Sequence, residues 1–159
     1  MTTSLQTREN EKTAESVQSR NQLCTFQIAN HHFCIDAIRV QEVIRYQNMT
    51  PVPLTEDYVR GLINLRGQIV TAIDMRKRLA FDDFPVGQQP MNVVVQARGG
   101  AVSLLVDRIG DVTEHELTYY EAAPPTLTAP LRDYIVGAYK LDSQLLLHLD
   151  IDAVVGNQT

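Results

Sequence analysis

The amino-acid sequence predicts an all-β protein that folds as two small packed barrels with short helical turns. Two observations carry this prediction. Short apolar strings recur along the chain, several of them with the two-residue period of a strand, and one segment is repeated 76 positions later. Each repeated unit is too small to fold well alone, and closure into a barrel removes exposed strand edges.

The composition is that of an ordinary globular domain. The chain has 159 residues, of which 44% are hydrophobic and 21% charged. Its net charge of −5 disfavours nucleic acid as a partner. No apolar stretch approaches the roughly 20 residues that span a bilayer, and the first residues lack the apolar centre of a signal peptide. We therefore expect a cytoplasmic protein.

The chain divides into one domain and two tails. Residues 1–21 are rich in Ser, Thr, Glu and Gln and predict a flexible N-terminal tail. Residues 22–156 form the domain, and residues 157–159 a C-terminal tail. The loop-like composition of FDDFPVGQQP places the connection between the two barrels near residues 81–91.

The first hairpin begins where Cys24, Phe26 and Ile28 alternate with polar residues. A two-residue turn at Asn30-His31 would place Phe33 opposite Ile28 and Ile35 opposite Phe26. In that register Cys24 and Cys34 lie on opposite faces, which forbids a disulfide. Further strands are predicted over residues 38–44, 62–65, 68–73, 92–97, 101–109, 134–140 and 144–149.

Turns and helix caps separate these strands. Tight turns are predicted at Arg66-Gly67, Gly99-Gly100 and Asp142-Ser143. Thr55 can cap a helical turn over residues 56–59 that Gly61 would close. Asp74 can cap a short helix over residues 75–79, and residues 151–155 are predicted as a closing helical turn.

The repeat is clearest over residues 57–74, where six of eighteen positions are identical to those 76 residues later. About one identity would be expected by chance. A shift of 69 matches the preceding hairpins more loosely, pairing Gln27 with Gln96 and Val43 with Val112. The repeated unit is therefore a hairpin, a loop, a helical turn and a second hairpin. The six identities pair Asp57, Tyr58, Gly61, Leu65, Gln68 and Asp74 with Asp133, Tyr134, Gly137, Leu141, Gln144 and Asp150.

No pattern in the sequence predicts catalysis, a cofactor or a metal site. Asp74 and Asp150 each precede an apolar helical stretch, where capping explains a carboxylate. The His31-His32-x-Cys34 string lacks a second pair of ligands, and no phosphate-binding loop is present. We expect the basic run at residues 76–78 to be a solvated helix face.

The string GLINLRGQIV at residues 61–70, with the IDMR that follows it, resembles the signature of the CheW family of chemotaxis coupling proteins. The resemblance extends over about Leu23 to Val155, through Phe26-x-Ile28, VQEV at residues 40–43 and LVD at residues 105–107. It implies two five-stranded SH3-like barrels. It also implies a non-catalytic adaptor that couples chemoreceptor tips to a CheA-type histidine kinase by binding the regulatory domain of the kinase.

The resemblance also implies candidate contact residues. Val40, Glu42, Gly61, Arg66 and Val102 match family positions at or near partner-binding surfaces. Ser103 stands where the family often has Gly at a suspected contact, and Thr71 where it often has Pro. Val40 and Val102 could equally be core residues and Gly61 a helix stop. Arg66 favours a functional or network-forming role, because a tight turn needs no guanidinium.

Two other classes of function stay open at this stage. A small-ligand-binding β-barrel regulator would need an interior cavity with convergent polar groups. An enzyme would have to use Asp74, His148 and Asp150. Within the adaptor hypothesis, we expect recruitment to membrane-associated receptor arrays, and the sequence leaves open whether the pathway controls flagella, pili or a second messenger.

Overall fold

The computed structural model describes residues 20–156. The predicted tails at residues 1–21 and 157–159 lie outside this range, except that Arg20 and Asn21 already belong to the first strand. Within residues 20–156, no helix is long and apolar enough to cross a membrane.

The described chain contains eleven strands and two short α-helices. Single turns of 3₁₀ helix lie at Ala37–Arg39, Leu117–Tyr119 and Leu131–Tyr134. The strands are β1 Arg20–Ile28, β2 His31–Asp36, β3 Val40–Ile44, β4 Val59–Leu65, β5 Gln68–Asp74, β6 Met91–Ala97, β7 Gly100–Val106, β8 Arg108–Glu116, β9 Tyr120–Glu121, β10 Ile135–Lys140 and β11 Leu145–Leu149. The helices are α1 Met75–Arg78 and α2 Ile151–Val155.

The strands form two sheets with the same internal order. One has five strands in the order β3-β6-β7-β5-β4, and the other has six in the order β8-β1-β2-β11-β10-β9. The shifts of 69 and 76 residues make β3 equivalent to β8, β6 to β1, β7 to β2, β5 to β11 and β4 to β10. Replacing each strand by its equivalent converts the first order into the second, apart from the two-residue β9. The internal duplication is therefore visible in the topology.

Each sheet takes its central hairpin from the other repeat. The β1–β2 hairpin of the first repeat pairs with β8 and β11 of the second. The β6–β7 hairpin of the second repeat pairs with β3 and β5 of the first. Neither repeat can complete its sheet alone. We call the five-stranded sheet the first barrel and the six-stranded sheet the second barrel.

This exchange changes where the chain passes between the barrels. We expected the connection near residues 81–91, but that segment joins α1 to β6 within the first barrel. The chain enters the first barrel through the 3₁₀ turn Ala37–Arg39 and leaves it at Asp107, between β7 and β8. The loop-like composition of residues 81–91 is real, but it does not mark the boundary.

The predicted register of the first hairpin is wrong. The turn lies at Ala29-Asn30, where Ala29 has a φ of 54°. Phe33 pairs with Phe26, whereas the predicted register placed Phe33 opposite Ile28. The two phenyl rings stack with centroids 5.9 Å apart, and this contact fits the observed register. Cys24 and Cys34 still fall on opposite faces, and both are free and buried.

Three other boundaries also differ. The turn before β7 is Arg98-Gly99 rather than Gly99-Gly100. The strand expected over residues 101–109 is two strands, because Asp107 turns the chain and its N–H donates to Gln27 O at 2.9 Å. Residues 56–59 form a turn rather than a helical turn, since Val59 already pairs with Ile73 in the first barrel.

Apolar side chains form one central core between the sheets and a smaller core inside each barrel. The central core contains residues from both sheets and both helices, including Phe26, Leu104 and Leu147. Inside the barrels the side chains come from one sheet, or from that sheet and the loops beside it. In the second barrel they are Leu23, Cys34, Tyr139 and Leu146, and in the first Ile63, Ala72 and Leu105.

Gly61 and Gly137 occupy equivalent positions where another chain segment crosses a barrel edge. A Cβ atom on Gly61 would lie 2.7 Å from Thr50 O, and one on Gly137 would lie 2.2 Å from the Tyr120 hydroxyl oxygen. Both strands carry an irregularity of register at this glycine. The absence of a side chain is what lets the crossing segments pair with β4 and β10.

Arg78 lies between equivalent residues of the two repeats. Its guanidinium carbon is 4.1 Å from the ring centroid of Tyr58 and 4.8 Å from that of Tyr134. The same side chain donates from Nε to Val154 O at 2.7 Å and from Nη2 to Ala153 O at 3.3 Å. Because Val154 is the repeat equivalent of Arg78, this contact joins the two repeats at equivalent positions.

We predict that Arg78→Met lowers the free energy of unfolding by about 2 kcal/mol, because it removes two cation–π contacts and two hydrogen bonds to the end of α2. Urea denaturation measures this loss. Lys77→Met on the exposed face of the same helix is the matched control and should change stability by less than about 0.5 kcal/mol. Equal effects of the two changes would contradict this role of Arg78.

Candidate functional site

An ion pair closes the first barrel between strands at opposite ends of its sheet. Glu42 lies on β3, and Arg66 lies in the turn that joins β4 to β5. Arg66 Nη2 is 3.0 Å from Glu42 Oε2. The sequence suggested a functional or network-forming role for Arg66, and the structure gives it this partner.

The turn geometry explains how Arg66 reaches the surface. Arg66 and Gly67 both have positive φ, 52° and 85°, as a tight two-residue hairpin turn requires. Asn64 Oδ1 accepts a hydrogen bond from Gly67 N at 3.1 Å and fixes the turn. The Arg66 side chain is 84% exposed, whereas that of Glu42 is 17% exposed. The Glu42 carboxylate is therefore largely buried, and the Arg66 guanidinium that pairs with it faces solvent.

The other candidates are less accessible. Val40 is partly buried and packs against the central core. Gly61 is buried against Thr50, and its role is the strand crossing rather than the helix stop that the sequence suggested. The structure thus brings Glu42 and Arg66 together at the surface, leaves Val40 partly buried and buries Gly61.

Val102 and Ser103 lie in the interior on β7, with exposures of 6% and 0%. Ser103 Oγ donates to Asn92 Oδ1 at 2.7 Å, and Asn92 Nδ2 donates to Arg45 O at 3.1 Å. This chain of hydrogen bonds links β7 through β6 to the end of β3. Both side chains are therefore buried in this structure, away from any partner that approaches the surface.

The basic run at residues 76–78 is not the solvated face that the sequence predicted. Arg76 is 9% exposed, forms a two-point ion pair with Asp107 and also donates to the carbonyl of Asp82. Of the three, only Lys77 is exposed. Sequence reasoning missed these roles because it compared Arg76 with its neighbours in the chain, whereas its carboxylate partner follows β7.

The residues weighed for catalysis have structural partners. Asp74 Oδ1 accepts from Lys77 N, and Asp150 Oδ1 accepts from Ala153 N, both at 3.1 Å, so both helix caps are confirmed. His148 Nδ1 lies 3.0 Å from the Tyr120 hydroxyl. Within residues 20–156 no group of three or more His, Cys, Asp or Glu side chains could hold a metal ion.

Burial changes the acid–base behaviour of two groups in the second barrel. Desolvation lowers the pKa of the His148 imidazole, while the charges of Asp36 and Asp150 oppose that shift. Desolvation also raises the pKa of the Cys34 thiol to about 12, and Asp36 adds to this effect. The thiol therefore stays protonated and poorly nucleophilic at neutral pH.

Comparisons with known proteins agree with this architecture. The model of the CheW-like domain family matches residues 22–158. The chain is 29% identical over 148 residues to the chemotaxis protein CheW of Bacillus subtilis strain 168, covering 92% of this chain and 94% of that one. It is 27% identical over 133 residues to CheW of Klebsiella aerogenes, covering 84% and 80%.

A solved structure shows the same fold. The scaffolding protein TtCheW from Thermoanaerobacter tengcongensis superposes with a TM-score of 0.78 at 24% sequence identity, covering 87% of this chain and 95% of that one. The all-β prediction with two SH3-like barrels is confirmed. The six strands of the second barrel, one more than predicted, arise because β9 pairs with β10, where the first barrel has only the single bridge from Thr50 to Leu62.

The family match over residues 22–158, together with the two-barrel fold, defines a protein of the CheW-like class. The chain belongs to the CheW-like domain family, a family of non-catalytic adaptors, and its role is that of a chemotaxis coupling adaptor.

We predict that Ser103→Ala lowers the free energy of unfolding by about 1–3 kcal/mol, because it leaves Asn92 Oδ1 buried without its donor. Chemical denaturation measures the change. Ser143→Ala in the exposed turn before β11 is the control and should have almost no effect. A Ser103→Ala protein as stable as the control would show that this hydrogen bond does not hold β6 and β7 together.

We predict that acid destabilises the fold through His148. Its pKa is lowered in the folded protein, so below the unfolded-state pKa of about 6.5 the unfolded chain binds more protons. The contribution of His148 to the unfolding free energy should fall as the pH drops below about 6.5 and level off below the folded-state pKa. Denaturation of the wild type and of His148→Gln across this range tests the point, and an unchanged pH slope in the variant would contradict it.

Proposed function

We propose that this chain couples the cytoplasmic tip of a chemoreceptor to a CheA-type histidine kinase by binding the regulatory domain of the kinase, without catalysing a reaction. In this proposal the protein is recruited from solution to membrane-associated receptor arrays. The observation that carries the proposal is the Glu42–Arg66 pair on the first barrel.

The energetics of that pair favour recognition over stability. An ion pair whose cation is 84% exposed contributes little to folding, because solvent screens it and ordering the arginine costs entropy. The Glu42 carboxylate is held by β3 and restricts where the guanidinium can lie. A pre-positioned, solvent-facing guanidinium suits recognition of a carboxylate or a backbone carbonyl on a partner.

Exposed apolar residues recur at equivalent places in the two repeats. Val43 on β3 is 38% exposed, and its equivalent Val112 on β8 is 63% exposed. Ile69 on β5 is 60% exposed, and its equivalent Leu145 on β11 is 39% exposed. Each barrel thus offers apolar contacts of the same kind at its surface. This duplication suits an adaptor that holds two partners at once.

The edge strands offer a second mode of contact. β3 ends the sheet of the first barrel, and an edge strand can pair with an extended segment of another protein. The buried chain from Ser103 through Asn92 to Arg45 supports the end of this strand. We infer that Val102 and Ser103 influence binding by fixing β3, while Val40 and Gly61 stabilise the same region from within.

We predict that Arg66→Ala weakens binding to the kinase regulatory domain or to the receptor fragment by at least about tenfold, or about 1.4 kcal/mol. Isothermal titration calorimetry with each purified partner measures this. The free energy of unfolding should change by less than about 1 kcal/mol, because the arginine of the ion pair is mainly exposed. Lys140→Ala, an exposed cation on the second barrel, is the matched control.

Wild-type affinity of Arg66→Ala for both partners would remove Arg66 from the proposed surface. The adaptor proposal itself has a broader test, in which the chain is mixed with the kinase and the receptor fragment and analysed by size-exclusion chromatography. A ternary complex is expected, and failure of the folded chain to bind either partner would contradict the proposal.

A further inference from the structure

In the first barrel, Glu42 on β3 pairs with Arg66 in the turn between β4 and β5, and we call this place the seam of the barrel. The two barrels differ at their seams. Sequence shifts of 69 and 76 make Asp111 the equivalent of Glu42 and Asp142 the equivalent of Arg66. The registers agree with this assignment, since Cys24 pairs with Val112 as its equivalent Val93 pairs with Val43. The second barrel therefore has two carboxylates where the first has a carboxylate and a guanidinium.

Neither carboxylate of the second seam is neutralised within the described chain. Asp111 and Asp142 are both exposed, and no ion pair joins either of them to another residue between 21 and 156. Like charges at opposite sides of a seam repel, so the cross-strand pair that closes the first barrel has no counterpart here.

A cleft of about 330 Å³ opens beside this second seam. Its wall includes Asp111 and the residues on either side of the β10–β11 turn, Leu141 and Gln144. Thr113 also lines the cleft, and although the residue is half-buried, its Oγ1 is buried without a hydrogen-bond partner among the described residues. The cleft therefore combines an apolar wall with acceptors that are not yet used.

The first barrel is filled at the equivalent positions. Thr25 and Thr113 in the cleft correspond to Val94 and Ile44 of the first barrel. Val94 is fully buried, so the first barrel closes with apolar side chains where the second has hydroxyl groups. Compared with the equivalent place in the first barrel, the second barrel is open and polar here.

We propose that the open seam of the second barrel binds an arginine side chain from a partner protein, which pairs with Asp111 and Asp142 as Arg66 pairs with Glu42 within the first barrel. The partner supplies from outside the cation that this repeat lacks. The aliphatic stem of the arginine lies against Leu141 and Leu146, and its guanidinium pairs with the carboxylates of Asp111 and Asp142.

The charges around the cleft favour one cation. Asp111 lies in the wall, Asp142 lies in the turn between the wall residues Leu141 and Gln144, and Arg108 is the one Lys or Arg in the wall. Arg108 is exposed and also borders a neighbouring polar cleft beside Asp107. The planar guanidinium has five N–H donors in a fixed fork and can donate to two carboxylates at once, which an ammonium does less well.

The site can be tested on the full chain with a single capped residue. The probe is N-acetyl-L-argininamide, which presents an arginine side chain as a polypeptide does, added to the ¹⁵N-labelled protein. We expect saturable amide shifts that centre on Thr25, Asp111, Thr113 and Gln144. N-acetyl-L-citrullinamide, which has the same shape without the charge, should bind at least tenfold more weakly.

Variants separate the seam from general surface charge. Asp142→Arg restores the pairing of the first barrel and should abolish probe binding, while Asp142→Asn should weaken it. Asp133→Arg makes the same charge change at an exposed position outside the cleft and should leave binding unchanged. If Asp142→Arg fails to fold, Asp142→Asn and Asp111→Asn give the same readout.

Several results would overturn the proposal. They are an absence of saturable shifts, equal binding of the citrulline probe, or probe binding that the Asp111 and Asp142 changes do not affect. Free L-arginine that binds at least tenfold more tightly than the capped probe would assign the cleft to a free amino acid instead. The titration uses no kinase or receptor, so its outcome is independent of the coupling function proposed above.

Discussion

The apolar core between the two sheets forces the two halves of the duplicated chain to fold together. The central hairpin of each barrel comes from the other repeat, so neither half can assemble its own sheet. Phe26 and Leu104 meet in the central core from opposite sheets, and both are buried. The small core inside each barrel is insufficient alone, because small single cores seldom outweigh the entropy of ordering the chain. The central core is thus the element on which both barrels depend.

This dependence gives the adaptor a fixed geometry. Arg78 joins α1 to the end of α2 between Tyr58 and Tyr134, so the surfaces of the two barrels are held at a defined separation. The duplication then allowed the two surfaces to differ without changing the scaffold. The first barrel closes its seam with an arginine, and the second leaves two carboxylates at the same place. Two related but unequal surfaces suit a protein that holds different partners.

Local patterns in the sequence predicted most of the fold. Strand alternation, the repeat, the tight turn at Arg66-Gly67 and the caps at Asp74 and Asp150 depend on residues close together in the chain. The first-hairpin register and the boundary between barrels were misplaced because long-range packing decides them. For the site, the family resemblance and a turn that needs no guanidinium both pointed to Arg66; the structure pairs it with Glu42, and its role in binding stays a prediction. Strands far apart in the sequence bury Val102, Ser103 and Arg76. A local sequence pattern cannot predict this burial.

Because each barrel takes its central hairpin from the other repeat, we expect the two barrels to unfold as one cooperative unit. Native-state hydrogen exchange at increasing denaturant measures the opening free energy of individual amides, and the relevant strands are β4–β5 in the first barrel and β10–β11 in the second. If the central core joins the barrels into one unit, the most protected amides of both hairpins exchange with the same free energy and the same denaturant dependence. Opening of one barrel at a clearly lower free energy than the other would contradict the account.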